Sequence, residues 1–200
     1  MSISINTNIQ AMGEMLLTQS RSLLSDVDYH KLLRIKDRQQ KAKQHLASRY
    51  LLNRLHVNDC GRPAKLEFLA DGSPMIIDST LYCSISHSKN AVMVALSKAP
   101  IGIDVEFIKP RNINELADLF MSKQDQNKIK DINLDEKTNL FYERWCLVES
   151  IAKLKSMDLS SAYSLIQQES HKFCSHYDKI EGYQICVSGN NPINIKMLNT

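Results

Sequence analysis

Three short runs crowd the middle of the chain: LYCSISHS at 81–88, NAVMVALS at 90–97 and PIGIDVEFI at 100–108. Each is rich in apolar and β-branched residues and is separated from the next by turn formers, which predicts a meander of three strands at the heart of a sheet. Downstream, the stretch from Asp135 to Lys155 has no internal Gly or Pro and reads as one long helix. Strands interleaved with helices in two comparable parts, each with one main helix beside a sheet, make the fold class α+β.

The third run poses a chemical problem. Strand residues two apart face the same way, so Asp104 and Glu106 project together from a strand whose other side, Ile103, Val105 and Phe107, asks for burial. Neighbouring carboxylates repel. Either that face is wet, as on an edge strand, or something positive sits between them.

The flanking segments supply the rest of the frame. Leu32, Leu33, Leu46, Tyr50, Leu51 and Leu55 can line the buried side of one or two amphipathic helices. KLEFLADGSPMII reads as strand, turn at Asp71 to Pro74, and strand. INELADLFMS resumes helical spacing, and Ser122 with Asp125 three residues later can start another helix. Alternation in Ala162 to Gln167, then KFCSHY and GYQICVSG, predicts three more strands, and NPINIKMLNT either adds an edge strand or trails off. The first twenty or so residues show no sustained periodicity and are expected to be partly mobile.

Bulk properties narrow the function classes. At 200 residues the chain can bury about 70% of its extended surface as one domain or two small packed ones. Five cysteines without C-x-x-C spacing argue against a disulfide framework or a zinc site. With neither a leader pattern nor an apolar run of about 18 residues, the expectation is a soluble cytoplasmic protein without a membrane partner. The net charge of +3 is too small to point to nucleic acid. Lys31 to Arg54 nonetheless holds eight Lys or Arg against one acid, Asp37. Such a face is either plain solvated surface or a hold for a phosphorylated molecule or an acidic protein.

On the long helix Trp145, Glu149 and Lys153 recur at i, i+4 and share a face. Alone, Glu149 and Lys153 are an ordinary helix ion pair worth a few tenths of a kcal/mol, and His87 in SISHS is an ordinary strand-end histidine. Together with Asp104 and Glu106 they make a different set: three hard oxygen donors suited to Mg²⁺ shared with a phosphate, a lysine for phosphate oxygens, and serine and histidine donors for more of them. That set describes a metal-assisted pyrophosphate site.

In this order and at these separations, SISHS (Ser84 to Ser88), PIGIDVE (Pro100 to Glu106) and WCLVESIAK (Trp145 to Lys153) resemble the 4'-phosphopantetheinyl transferases of the surfactin-synthetase type. KAKQHLASRYLLNRL and the ADGSP turn also look like that family's N-terminal half, particularly its siderophore-synthesis members. The resemblance implies a pseudo-dimer of two similar α+β halves, 1–108 and 109–200, with the active site in the cleft between them. It implies Mg²⁺, with Mn²⁺ as the alternative ion, held by Asp104, Glu106 and Glu149. Coenzyme A would be contacted by Ser86, His87, Lys43, Arg49 and Lys153, with Glu149, Lys153 and His87 as the catalytic groups. The implied reaction moves 4'-phosphopantetheine to a serine of an apo acyl or peptidyl carrier protein of nonribosomal peptide, polyketide or siderophore synthesis, and 3',5'-ADP leaves. A monomer is the implied state. Two positions depart from the pattern: Val148 and Ser73 stand where the family usually has lysines. They keep a second reading in play, a paralogue that binds coenzyme A or a carrier protein without efficient transfer.

Overall fold

A computed structural model describes residues 1–10, 16, 24, 26–35 and 39–198. Of the first twenty residues, expected to be partly mobile, Ser2–Asn6 instead form a strand, while 11–15 and 17–20 lie outside that set, as does Asp37. The chain forms two compact units, Met1–Ile101 with Asn194–Thr200, and Gly102–Ile193. Both mix helices and strands.

The first unit is built on a six-stranded sheet, from β1 (Ser2–Asn6), β2 (Leu66–Phe68), β3 (Pro74–Ile76), β4 (Tyr82–Ser88), β5 (Ala91–Ser97) and β9 (Lys196–Leu198), in the order β2-β3-β4-β5-β1-β9. Neighbours run antiparallel except β1 and β9, which are parallel. Among the described residues the helices α1 (Asp26–Ile35) and α2 (Gln39–Cys60) belong to the same unit. Leu46, Leu51, Leu52 and Leu55 of α2 share an apolar cluster with the alternate residues Val92, Val94 and Leu96 of β5. Leu33, assigned to the buried side from sequence, is instead 43% exposed.

The second unit carries β6 (Ile101–Phe107), β7 (Cys174–Ile180) and β8 (Tyr183–Gly189) in the order β6-β8-β7. Its helices are α3 (Ile113–Phe120), α4 (Lys123–Asp131), α5 (Leu134–Lys155) and α6 (Leu159–Glu169). Asn133 opens α5 with a full capping box, its side chain taking the Glu136 N–H while the Glu136 carboxylate takes its own. Ser156 in the left-handed region closes it. β7 and β8 join through Glu181 and Gly182, both at positive φ, as a tight right-twisting hairpin requires. All seven residues of β8 are buried.

Three sequence expectations change here. β6 does not continue the β4–β5 meander; it is the edge of the second sheet, beside β8. The compact units therefore divide between Ile101 and Gly102 rather than near Ile108, and β9 returns to the first unit by pairing with β1. Ala162 to Gln167 is not a strand but the middle of α6, whose start Asp158 caps by accepting the Ser161 N–H.

Candidate active site

The site begins at a glycine. An ideal Cβ on Gly102 would lie 1.8 Å from the Ser150 carbonyl oxygen and 2.6 Å from the Leu154 nitrogen, so α5 rests directly on the backbone of β6. Alternation then sets the direction of each later residue of the strand. Asp104 and Glu106 share the Gly102 face of β6 and turn toward the helix, while Ile103 and Val105 are fully buried on the other face. The carboxylate face is thus neither a wet edge nor bare. It is covered by the Trp145–Glu149–Lys153 face of α5.

The pairing runs in opposite directions along the two elements. Lys153 Nζ donates to Asp104 Oδ1 at 2.8 Å, the lysine side chain 30% exposed and the aspartate 3%. Trp145 Nε1 donates to Glu106 Oε1 at 3.4 Å. Glu149, half-buried, lies between these contacts in sequence. Burial raises its pKa first, then the charges of Asp104 and Glu106, with Lys153 pulling the other way. The Cys146 thiol donates to the Gln184 carbonyl oxygen at 3.7 Å; burial and then the charge of Asp104 push the thiol well above the ordinary range. The placing of this buried thiol is invisible in sequence, because cysteine at a helix interior reads as a small hydrophobe.

Asp104, Glu106, Glu149 and Lys153 are therefore brought into one electrostatic group within the second unit. As donor chemistry the three carboxylates suit a hard divalent cation, whose charge would relieve the repulsion that raises Glu149. Among the described residues, however, no three or more His, Cys, Asp or Glu form a group that could hold a metal ion. The cation at Asp104 is the lysine.

The other predicted residues lie in the first unit. Ser86 and His87 sit opposite Met93 and Val92 in the β4–β5 ladder and face opposite sides of it, Ser86 buried and His87 exposed. Lys43 is half-buried and donates to Gln10 Oε1 at 2.6 Å. Arg49 is buried, and its Nη2 and Nε donate to Asp28 Oδ1 at 2.8 and 3.2 Å. His45, beside the same aspartate, has its pKa lowered to about 4 by burial and by the Arg49 charge. Arg49 and Lys31 also lie over the Phe68 ring, at 5.1 and 4.5 Å. Sequence showed the basic run but not the acid that engages it, because Asp28 is on another helix.

Val148 is 3% exposed and packs in the apolar cluster of α3, α5 and α6. It also lines a cavity of about 540 Å³ with Asp125, Lys128, Arg144 and Tyr163. The Arg144 guanidinium there grips Asp125 at 2.8 and 3.3 Å. A valine here is a packing residue.

Comparison with known proteins covers β6 and α5. A model of the 4'-phosphopantetheinyl transferase superfamily matches residues 100–187. The chain is similar to the Bacillus subtilis (strain 168) 4'-phosphopantetheinyl transferase Sfp, 31% identical over 137 residues, 60% of this chain and 61% of that protein. The Bacillus subtilis 4'-phosphopantetheinyl transferase ffp is 28% identical over 60% of this chain and 61% of its own. The Aneurinibacillus migulanus 4'-phosphopantetheinyl transferase gsp is 30% identical over 41% of this chain and 34% of its own. The matches thus span at most about three fifths of these relatives.

Proposed function

We propose that this chain, whose residues 100–187 match a model of the 4'-phosphopantetheinyl transferase superfamily, transfers 4'-phosphopantetheine from coenzyme A to a serine of an apo acyl or peptidyl carrier protein. The observation that carries the reading is the covered carboxylate face: Asp104, Glu106 and Glu149 grouped under a lysine that can turn to phosphate. In this reading the two compact units are the two halves of the family's pseudo-dimer. The first supplies the coenzyme A side through Ser86, His87 and Lys43; Arg49 must give up Asp28 before it can meet a phosphate.

The serine oxygen forms a bond to the β-phosphorus of coenzyme A, the bond from that phosphorus to the bridging oxygen breaks, and 3',5'-ADP leaves with the electron pair. Glu149 takes the serine proton. A free carboxylate is a weak base for an alcohol, so its placement against the serine hydroxyl must supply much of the help. Lys153 and His87 stabilise charge on the transferring phosphoryl oxygens. Asp104, Glu106 and Glu149 would hold Mg²⁺ or Mn²⁺, which supplies charge neutralisation on the pyrophosphate. The reading has a monomer working in the cytoplasm and needs neither nucleic acid nor membrane; no helix among the described residues is long and apolar enough to cross one.

The test is direct. The protein is incubated with coenzyme A, MgCl₂ and apo-carrier proteins of fatty-acid, polyketide and peptide type, and each carrier is weighed by mass spectrometry. A gain equal to phosphopantetheine on the carrier serine is the expected result. If coenzyme A binds and no carrier gains mass, the transferase reading gives way to a binding function.

A further inference from the structure

Protein interiors pack to the density of organic crystals and leave few voids larger than a water molecule. Between α4, α5 and α6 the second unit departs from that, with a cavity of about 540 Å³, inside the roughly 300–1,000 Å³ range of small-molecule sites. None of the groups proposed for transfer lines it.

Its lining divides by chemistry. Leu147, Val148, Tyr163 and Ile166, buried or half-buried, give it an apolar wall. Lys123 and Lys128 are exposed and stand where it opens to solvent. Arg144 is a third cation, and Asp125 is the one acid among the described residues that line it. That acid is already engaged. Asp125 is buried and accepts from Arg144 Nε at 2.8 Å, from Arg144 Nη2 at 3.3 Å and from Ser122 Oγ at 3.0 Å. Lys128 Nζ stays 3.9 Å from it with 54% of its side chain exposed, and Lys123 Nζ meets a neutral group, Gln126 Oε1, at 3.0 Å. Arg144 and Asp125 therefore neutralise each other, and no second acid among the described lining residues matches the two lysine charges.

A complementary ligand has an apolar body and a head of about two negative charges. A phosphate monoester carries about −1.5 to −2 at neutral pH and meets both demands. Inorganic phosphate leaves the wall uncovered, a monocarboxylate leaves one lysine unmatched, and a neutral amphiphile leaves both. We propose that the cavity between α4, α5 and α6 is a binding site for a small amphipathic phosphate monoester, its head on Lys123 and Lys128 and its body against Val148, Tyr163 and Ile166. This site goes beyond the transfer reaction and does not depend on it.

The probe is octyl phosphate, titrated into the isotope-labelled full chain and followed by heteronuclear NMR, with octyl glucoside, octanoate and inorganic phosphate as comparisons. The amides of Lys123 to Asp125 and of Ile166 and Gln167 should shift saturably with octyl phosphate. Its affinity should exceed that of each comparison by about tenfold or more, as charge-assisted contacts added to apolar burial require. Saturating coenzyme A should leave that affinity unchanged. The double variant Lys123→Gln/Lys128→Gln, at two exposed positions, should bind about tenfold more weakly, and Ile166→Trp, which narrows the cavity, should not bind. Melting curves check both folds; where Ile166→Trp does not fold, the lysine pair decides. Octanoate or octyl glucoside binding as tightly as octyl phosphate, unchanged affinity in the folded lysine variant, displacement by coenzyme A, or shifts confined to other residues would each overturn the site. Each of these outcomes leaves the carrier-mass assay to judge the transferase reading separately.

Discussion

Glu149 shows how a single residue can cost stability and serve chemistry at once. Its carboxyl is half-buried, and burial together with Asp104 and Glu106 disfavours its charge, so the folded chain holds it at a disadvantage that Lys153 only partly offsets. Glu149→Gln keeps the shape and removes the repelled charge. Transfer to the carrier should fall by about a hundredfold or more, the range lost with a general base, while the thermal midpoint stays level or rises, as at other strained functional positions. A variant with near-normal turnover would take Glu149 out of the mechanism; a lower midpoint would refute the repulsion. Much of this site was legible locally. Period two exposed Asp104 and Glu106 as a pair, and i, i+4 spacing gathered Trp145, Glu149 and Lys153. What local patterns could not carry was the partner of each: that Lys153 reaches Asp104, 49 residues away, that the buried Cys146 thiol meets the Gln184 carbonyl, and that Asp28 engages Arg49.

At the scale of elements, the seating of α5 on β6 sets every distance in the carboxylate group. Gly102 permits it, because any side chain there meets helix backbone rather than a flexible tip. Gly102→Ala must therefore lift α5 from the strand and part Lys153 from Asp104. Such overpacking costs about 1–3 kcal/mol, here at the upper end because the contact is backbone, and urea unfolding measures it. A loss below about 0.5 kcal/mol, the range of ordinary surface substitutions, would show that the helix is not tightly seated. The long helix itself was readable within one residue, since 22 positions free of Gly and Pro leave few alternatives. Six residues do not: Ala162 to Gln167 alternate like a strand, yet Asp158 four residues upstream is a helix cap, and the cap was the stronger signal. SISIN, now β1, alternates too, but five residues at a chain end carried too little pattern to separate from the irregular stretch after it. The departure of β6 from the β4–β5 meander had no local signal, because pairing with β8 depends on a strand some eighty residues later.

At the scale of the molecule, acid acts on the two units in opposite senses. His45 belongs to the first; its folded pKa, about 4, lies below the ordinary 6.5 through burial and the charges of Arg49 and Lys31, with Asp28 opposing. Between those values the unfolded chain binds a proton that the folded unit refuses, so stability rises with pH and is lost as pH falls; the linkage amounts to about 2 kcal/mol between pH 7 and 5. Glu149 belongs to the second unit, and its folded pKa is raised. There the folded state takes up the proton more readily than the unfolded chain, so stability is gained as pH falls through the raised folded pKa. Amide hydrogen exchange read against intrinsic rates resolves the two. From pH 7 to pH 5 the opening free energy of amides around Leu51 and Leu52 in α2 should drop, while that around Ile151 in α5 holds or rises. His45→Gln should flatten the α2 response and leave α5 unchanged. Equal losses in both units would mean that neither group governs its own unit, and a steep α2 response in His45→Gln would place the acid sensitivity on another residue.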